Sequence, residues 1–174
     1  TSLADPVDTS APPPPPPPPP PWSASPPHVL PWDTLEIFTD GGCPLIAGWG
    51  VVLPAAVSSE IIALTMGGPV ESSAWAVDKI NNHTAELVGV CKALLLLLLL
   101  PGSQPALLRT DNLSAGKQAV GWWTGSSDQD LIAFAQLLAA KVRHRRQLWW
   151  RHVYSHGRNT SQRDNVLNDE ADFC

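Results

Sequence analysis

Cysteine is scarce in this chain. Cys43, Cys91 and Cys174 stand far apart and show no CxxC spacing, which argues against both a disulfide framework and a structural zinc site. A reducing compartment is therefore expected, the nucleus or cytoplasm, and not secretion. No basic segment followed by an apolar stretch opens the chain, and the apolar run from Ala93 to Leu100 is too short to span a bilayer; no membrane association is expected. The chain opens at Thr1 and stops at Cys174 soon after an acidic cluster, so a piece of a longer product is expected. Basic residues are also few: Lys and Arg number 11 against 16 Asp and Glu, for a formal net charge of -5. Polyanion binding usually carries the opposite signature. The distribution softens this, because Lys141, Arg143, Arg145, Arg146, Arg151, Arg158 and Arg163 follow one another with no acid among them. A nucleic-acid face and a set of solvated charges are equally compatible with that run.

Proline is what the chain has in excess. Residues 1–32 are dominated by Pro12 to Pro21 and by Pro26, Pro27 and Pro31. Such a segment cannot donate the backbone hydrogen bonds of a sheet or build a core. It reads as a tail or linker in polyproline II, able to space a neighbour or to present a ligand to SH3-like or WW-like domains. Residues 33–174 carry the globular pattern.

Leu35 to Thr39 reads as a strand closed by Asp40-Gly41-Gly42, and Gly48 to Leu53 and Ser59 to Leu64 as two more, forming an antiparallel meander. A helix is expected from Thr84, as N-cap, to Leu100, with Pro101-Gly102 as its stop. Its second half is apolar all round, with leucine from Leu94 to Leu100, and so belongs in the centre against the sheet. Ala106 to Thr110 is a fourth strand, Ser114 to Val120 a short helix, Asp128 to Arg146 a longer amphipathic one, and Leu148 to Tyr154 a fifth strand. A last helix is expected from Asn168 onward, cut short by the chain end. The order predicts an α/β fold in which crossover helices place the later strands parallel to the first. Val70 to Ile80 receives no assignment.

Four acids sit where these elements end or begin: Asp40, Glu86, Asp111 and Asp169. If the first and fourth strands are neighbours, Asp40 and Asp111 lie side by side at their carboxyl ends, where α/β sheets build sites. Converging carboxylates repel unless cations neutralise them, and an all-oxygen set suits Mg²⁺ or Mn²⁺. A pair of such ions performs in-line phosphoryl displacement. Taken singly, each acid is more often a turn residue or a cap.

The residues together resemble type 1 ribonucleases H, including those attached to retroelement reverse transcriptases. The likeness runs from Leu35 to Ala171: Leu35 to Cys43 is similar to the family's first strand and metal-binding turn, Gly48 to Val52 to its second strand, and Asn81 to Leu87 to the segment entering the helical glutamate. Thr110-Asp111-Asn112 resembles the third acidic motif, Tyr154-Ser155-His156-Gly157 the mobile histidine loop, and Asn165 to Ala171 the last motif. The resemblance implies a ribonuclease H-like five-stranded mixed sheet flanked by helices, with Asp40, Glu86, Asp111 and Asp169 holding two Mg²⁺ ions and His156 assisting proton transfer or product departure. It implies endonucleolytic cleavage of the RNA strand of RNA–DNA hybrids, leaving 3′-hydroxyl and 5′-phosphate ends, with RNA distinguished through 2′-hydroxyls in the minor groove. Cys43, Asn82 and His83 match positions that touch the hybrid. The alternative is a catalytically silent hybrid-binding or connection domain tethered to a polymerase. Asp164 competes for the fourth acid; Asp169 is preferred because Asn165 and Glu170-Ala171 keep the motif's spacing. Core packing is expected of Trp122 and Trp123. The basic insertion some members carry after these tryptophans is absent, and the loop from His156 to Asp169 is longer than usual.

Overall fold

The computed structural model describes residues 25–42, 46–57, 60–75, 77, 79–154 and 161–172, with the side chains of 55–57 and 60–63 left aside. The proline run, Cys43 and His156 lie outside the described residues, so the expected linker and two expected site residues are not located.

Strands β1 (Leu35–Gly42), β2 (Gly48–Val57) and β3 (Glu60–Pro69) form the antiparallel meander. Strands β4 (Ala106–Thr110) and β5 (Leu148–His152) join parallel to β1, giving the order β3-β2-β1-β4-β5. The register sets Thr39 opposite Thr110, so Asp40 and Asp111 follow side by side. Parallel neighbours need a crossover. One is supplied by α2 (Asn82–Leu99), the other by α3 (Leu113–Ala119) and α4 (Gln129–Arg143). The unassigned stretch contains a short helix, α1 (Ser72–Trp75).

Helix α2 is the central element, as its apolar character predicts: Ala85, Leu87, Val88, Val90, Cys91, Ala93, Leu94 and Leu97 are fully buried. By length and hydropathy it could cross a membrane, yet 61% of its span is buried in the fold, and it packs against β1, β2 and α4. It is a core helix. Its N-cap is Asn81, whose side chain accepts from the Thr84 backbone N–H at 3.0 Å. Thr84 is buried inside the first turn, its hydroxyl donating to the Lys79 carbonyl at 3.2 Å. The expected cap at Thr84 is thus displaced by an asparagine three residues earlier. At the other end Arg146 caps the helix, donating to the Leu100 and Gly102 carbonyls at 2.9 and 3.1 Å, while Arg145 bonds Leu98 O.

The sheet has two unequal faces. Ile37, Val51 and Leu108 join α2, α3 and α4 in the main core, whereas Phe38, Val52 and Val153 form a smaller apolar cluster with Leu167 and Ala171 of α5 (Gln162–Ala171). Helix α5 begins six residues before the expected Asn168, because Ser161 caps it, accepting from Asp164 N at 3.3 Å. Trp149 and Trp150 are both buried, on opposite faces as strand alternation requires. Trp122 and Trp123 do not pack into the core as expected. They remain 41% and 44% exposed, Trp122 edge-on to Trp150 and Trp123 under the Lys117 ammonium at 4.1 Å.

Gly89 lets α2 approach β1: an added Cβ would lie 2.5 Å from Thr39 Oγ1 and 2.8 Å from Asp40 O. Alanine favours a helix interior by about 1 kcal/mol, but overpacking against backbone costs about 1–3 kcal/mol. Gly89→Ala should therefore lower the urea unfolding free energy by up to about 2 kcal/mol; a gain in stability would refute so close a contact.

Candidate metal centre

Three of the expected acids meet. One carboxylate oxygen from each of Asp40, Glu86 and Asp111 lies within 4.8 Å of the others. Asp40 comes from β1 and Asp111 from the end of β4, where the parallel register sets them adjacent. Glu86 reaches them from the first turns of α2, and Gly41 makes this possible: a Cβ there would stand 2.3 Å from the Ala85 carbonyl carbon and 2.4 Å from Glu86 N. Only a residue without a side chain allows the helix to sit on the strand so closely.

Burial and mutual repulsion set the electrostatics. Asp40 and Glu86 are each 8% exposed. Burial, and then the Asp111 charge, raise Asp40 to about 7, although the Gly41 N–H donates to it at 2.6 Å. Burial, then Asp40 and Asp111, raise Glu86 to about 10. Asp111 is raised mainly by burial, against the opposing hydrogen bond from Asn168. Glu86 Oε2 and Asp111 Oδ1 are buried without a hydrogen-bond partner among the described residues. Hard oxygen ligands, crowded and buried, with these two oxygens left unpartnered among the described residues, suit a divalent cation of the Mg²⁺ class.

The structure does not bring Asp169 to this cluster. It is exposed on α5, and the fourth carboxylate whose charge acts on both Asp40 and Asp111 is Asp172, one residue past the helix. The reason is helical phase: Asn168 is buried and hydrogen-bonds Asp111, and Asp172 lies four residues on, on the same side, whereas Asp169 is turned about 100° away. Asp164, the competing residue, is committed elsewhere, at 2.9 Å from Arg109 Nη1. Asn82 is exposed and His83 half-buried in the first turn of α2.

Two further contributors escaped the sequence. His152 holds its Nε2 2.9 Å from the Asp111 carbonyl oxygen, which assigns the proton to that nitrogen because a carbonyl can only accept. Asn112 caps α3 by accepting from Ala115 N at 2.9 Å, and its side chain also bonds Glu86. Of the basic run, Arg145 and Arg146 serve the end of α2 and Arg163 pairs with Glu36 at 2.8 Å. Part of the expected nucleic-acid face is therefore engaged within the protein.

A carboxylate whose native pKa is raised keeps its proton in the folded state while the unfolded chain loses it, so stability falls as pH rises between the two values. For Asp40 that window runs from 3.8 to about 7, and for Glu86 from 4.5 to about 10. Metal-free protein should therefore lose thermal stability as pH rises from about 5 to about 8, and Glu86→Gln should flatten the fall. Mg²⁺ should raise Tm more at pH 8 than at pH 5. A metal-free Tm that climbs across this range would contradict the burial of the cluster.

No family model matches the sequence, and no curated protein matches it. Solved structures do. The N-terminal ribonuclease H domain of Rv2228c from Mycobacterium tuberculosis, solved as a fusion with maltose-binding protein, aligns with 79% of this chain and 95% of its own, at 22% identity and a TM-score of 0.57. LC11 ribonuclease H1, solved in complex with an RNA/DNA hybrid, aligns with 79% of this chain and 92% of its own, at 18% identity and a TM-score of 0.54. Prototype foamy virus protease–reverse transcriptase aligns with 86% of this chain over 21% of its own, at 20% identity and a TM-score of 0.60. The chain has the ribonuclease H-like fold.

Proposed function

We propose that this domain is a metal-dependent endonuclease that hydrolyses the RNA strand of RNA–DNA hybrids, leaving 3′-hydroxyl and 5′-phosphate ends. The observation that carries the reading is the buried cluster of Asp40, Glu86 and Asp111 at the carboxyl ends of parallel strands, on a fold similar to that of ribonucleases H. Its similarity to part of a viral protease–reverse transcriptase supports a covalent polymerase neighbour, with the proline segment as the connection between them.

Asp40, Glu86 and Asp111, with Asp172 as the fourth acid in place of Asp169, would hold two Mg²⁺ ions, with Mn²⁺ as a substitute. Such a pair polarises the scissile phosphate and lowers the pKa of the attacking water. Glu86 and Asp40 must surrender their protons for this, and the raised values make cation binding and proton release one linked event. The hydrogen bond from Asn168 lowers Asp111 and that from Asn112 lowers Glu86, each opposing part of the larger rise that burial causes and so favouring the ionised form a cation needs. His156, in the loop between β5 and α5, would carry protons at the leaving oxygen. Cys43, Asn82 and His83 would meet the hybrid beside the cluster, where 2′-hydroxyls mark the RNA strand.

A strand-labelled hybrid with Mg²⁺ tests this. The RNA strand alone should be cut. Asp40→Asn should reduce the rate by at least about 100-fold, the upper range for disturbing a metal site. Asp172→Asn should be equally damaging and Asp169→Asn nearly silent. Folded protein that binds the hybrid and cuts neither strand would favour a silent binding domain, and equal cutting of duplex DNA would change the substrate class.

A further inference from the structure

The helix that carries Asn168 and leads to Asp172 is weakly held by apolar contacts. Helix α5 has ten residues, of which Leu167 and Ala171 are its buried apolar side chains, against Phe38, Val52 and Val153. Helices this short are not stable alone and take their position from tertiary contacts. Apolar contacts are non-directional and tolerate small rotations about the helix axis. A rotation of one residue would exchange Asp172 for a neighbour. Something directional has to set the phase of α5.

An ionic hub under the helix has the required geometry. Arg109, in β4, is 5% exposed. Its Nε and Nη2 lie 2.9 and 2.6 Å from Glu36 Oε2 on β1, and its Nη1 lies 2.9 Å from Asp164 Oδ2 on α5. The guanidinium stands 5.3 Å from the Phe38 ring centroid, and Arg163 of α5 closes the set at 2.8 Å from Glu36 Oε1. Two cations and two carboxylates balance, and the buried guanidinium donates in two directions, which fixes angle as well as distance.

The hub and the acidic cluster share one face of the sheet. Phe38 and Arg109 are register partners, and alternation puts Glu36, Phe38 and Asp40 on one side of β1 and Arg109 and Asp111 on the same side of β4. On α5, Asp164, Asn168 and Asp172 recur every four residues and so form one stripe. Asp164 bonds Arg109, Asn168 bonds Asp111, and Asp172 acts on Asp40 and Asp111. Two ladders, two residues apart on the strand and four apart on the helix, therefore run in step from the hub to the cluster. We infer that Arg109 is a positioning residue that sets the phase of α5, through Asp164, so that Asn168 and Asp172 face the metal centre. Its consequence for catalysis rests on the nuclease reading; its effect on α5 does not.

The test uses the full chain and three variants, Arg109→Met, Arg109→Lys and Asp164→Asn. Mg²⁺ affinity is measured by calorimetry, amide hydrogen exchange across 162–171 and 82–99 by mass spectrometry, and hybrid cleavage by steady-state kinetics. Arg109→Met should weaken Mg²⁺ binding by about 10–100-fold and lower kcat with little change in KM. Exchange should accelerate in α5 and stay slow in α2. Arg109→Lys, which keeps the charge and loses the two-way fork, should recover part of the affinity. Should Arg109→Met fail to fold, Asp164→Asn, which removes only the charge on α5, should show the same losses in milder form. Unchanged α5 exchange, or unchanged Mg²⁺ affinity with a merely lower Tm, would overturn the positioning role. If the unaltered protein neither bound Mg²⁺ nor cut hybrid, the nuclease reading would fail by itself, and α5 exchange in the variants would still decide whether Arg109 sets the helix.

Discussion

Crowded negative charge is the constraint on which the rest of the structure depends. Three carboxylates from three different elements meet within 4.8 Å, two of them 8% exposed, and Asp172 adds a further negative charge. Left ionised, such a group would push its own elements apart. Burial and mutual repulsion raise Asp40 and Glu86 toward their neutral forms, which relieves that repulsion. Under the proposed metal binding, stability and readiness for cations would be opposed: the protons that favour packing of the cluster would be the ones a divalent ion displaces. The glycine contacts are the mechanical side of the same arrangement, since Gly41 and Gly89 bring α2 against β1 closely enough for Glu86 to reach the strand ends.

The unequal faces of the sheet divide the labour. On the α2 face a large apolar core supplies stability and fixes Glu86 rigidly. On the α5 face, among the described residues, a small cluster of Phe38, Val52, Val153, Leu167 and Ala171 joins the helix to the sheet, and polar contacts add to it: the Arg109 hub at one end and the Asn168 bond to Asp111 at the other. Apolar burial gives energy without direction, whereas paired guanidinium and amide groups give direction at a desolvation cost. The part of the site that needs angular accuracy is thus held by the interactions that have it.

How much of this was legible follows from the range of each signal. The strands and α2 were readable because they are long apolar patterns with clear stops, and the parallel placement of β1 and β4 followed from element order, so Asp40, Glu86 and Asp111 could be brought together in advance. The exposed position of Asp169 could not be read in advance because α5 is polar and carries almost no periodicity. The signal that could have found it was local: Ser161 with Asp164 three residues later is a capping pattern, and starting the helix there puts Asn168 and Asp172 on the face of Asp164. The Trp122–Trp123 pair was misjudged because tryptophan area suggests burial, whereas here Lys117 and Trp150 give the rings partners at the surface. Arg109 could not be read as an ionic hub, since its partners lie 73 and 55 residues away in sequence.

The acidic total fits a polyanion-cutting reading once charge is followed by location. Several arginines are engaged inside the fold, at the end of α2 and beneath α5, and so do not contribute free charge to a basic face. Divalent ions held at the cluster, as proposed, would change the local sign, and an approaching phosphate would then meet positive charge where the metal-free protein presents carboxylates. Linkage then works both ways: whatever free energy the ions add to hybrid binding, the hybrid adds to ion binding.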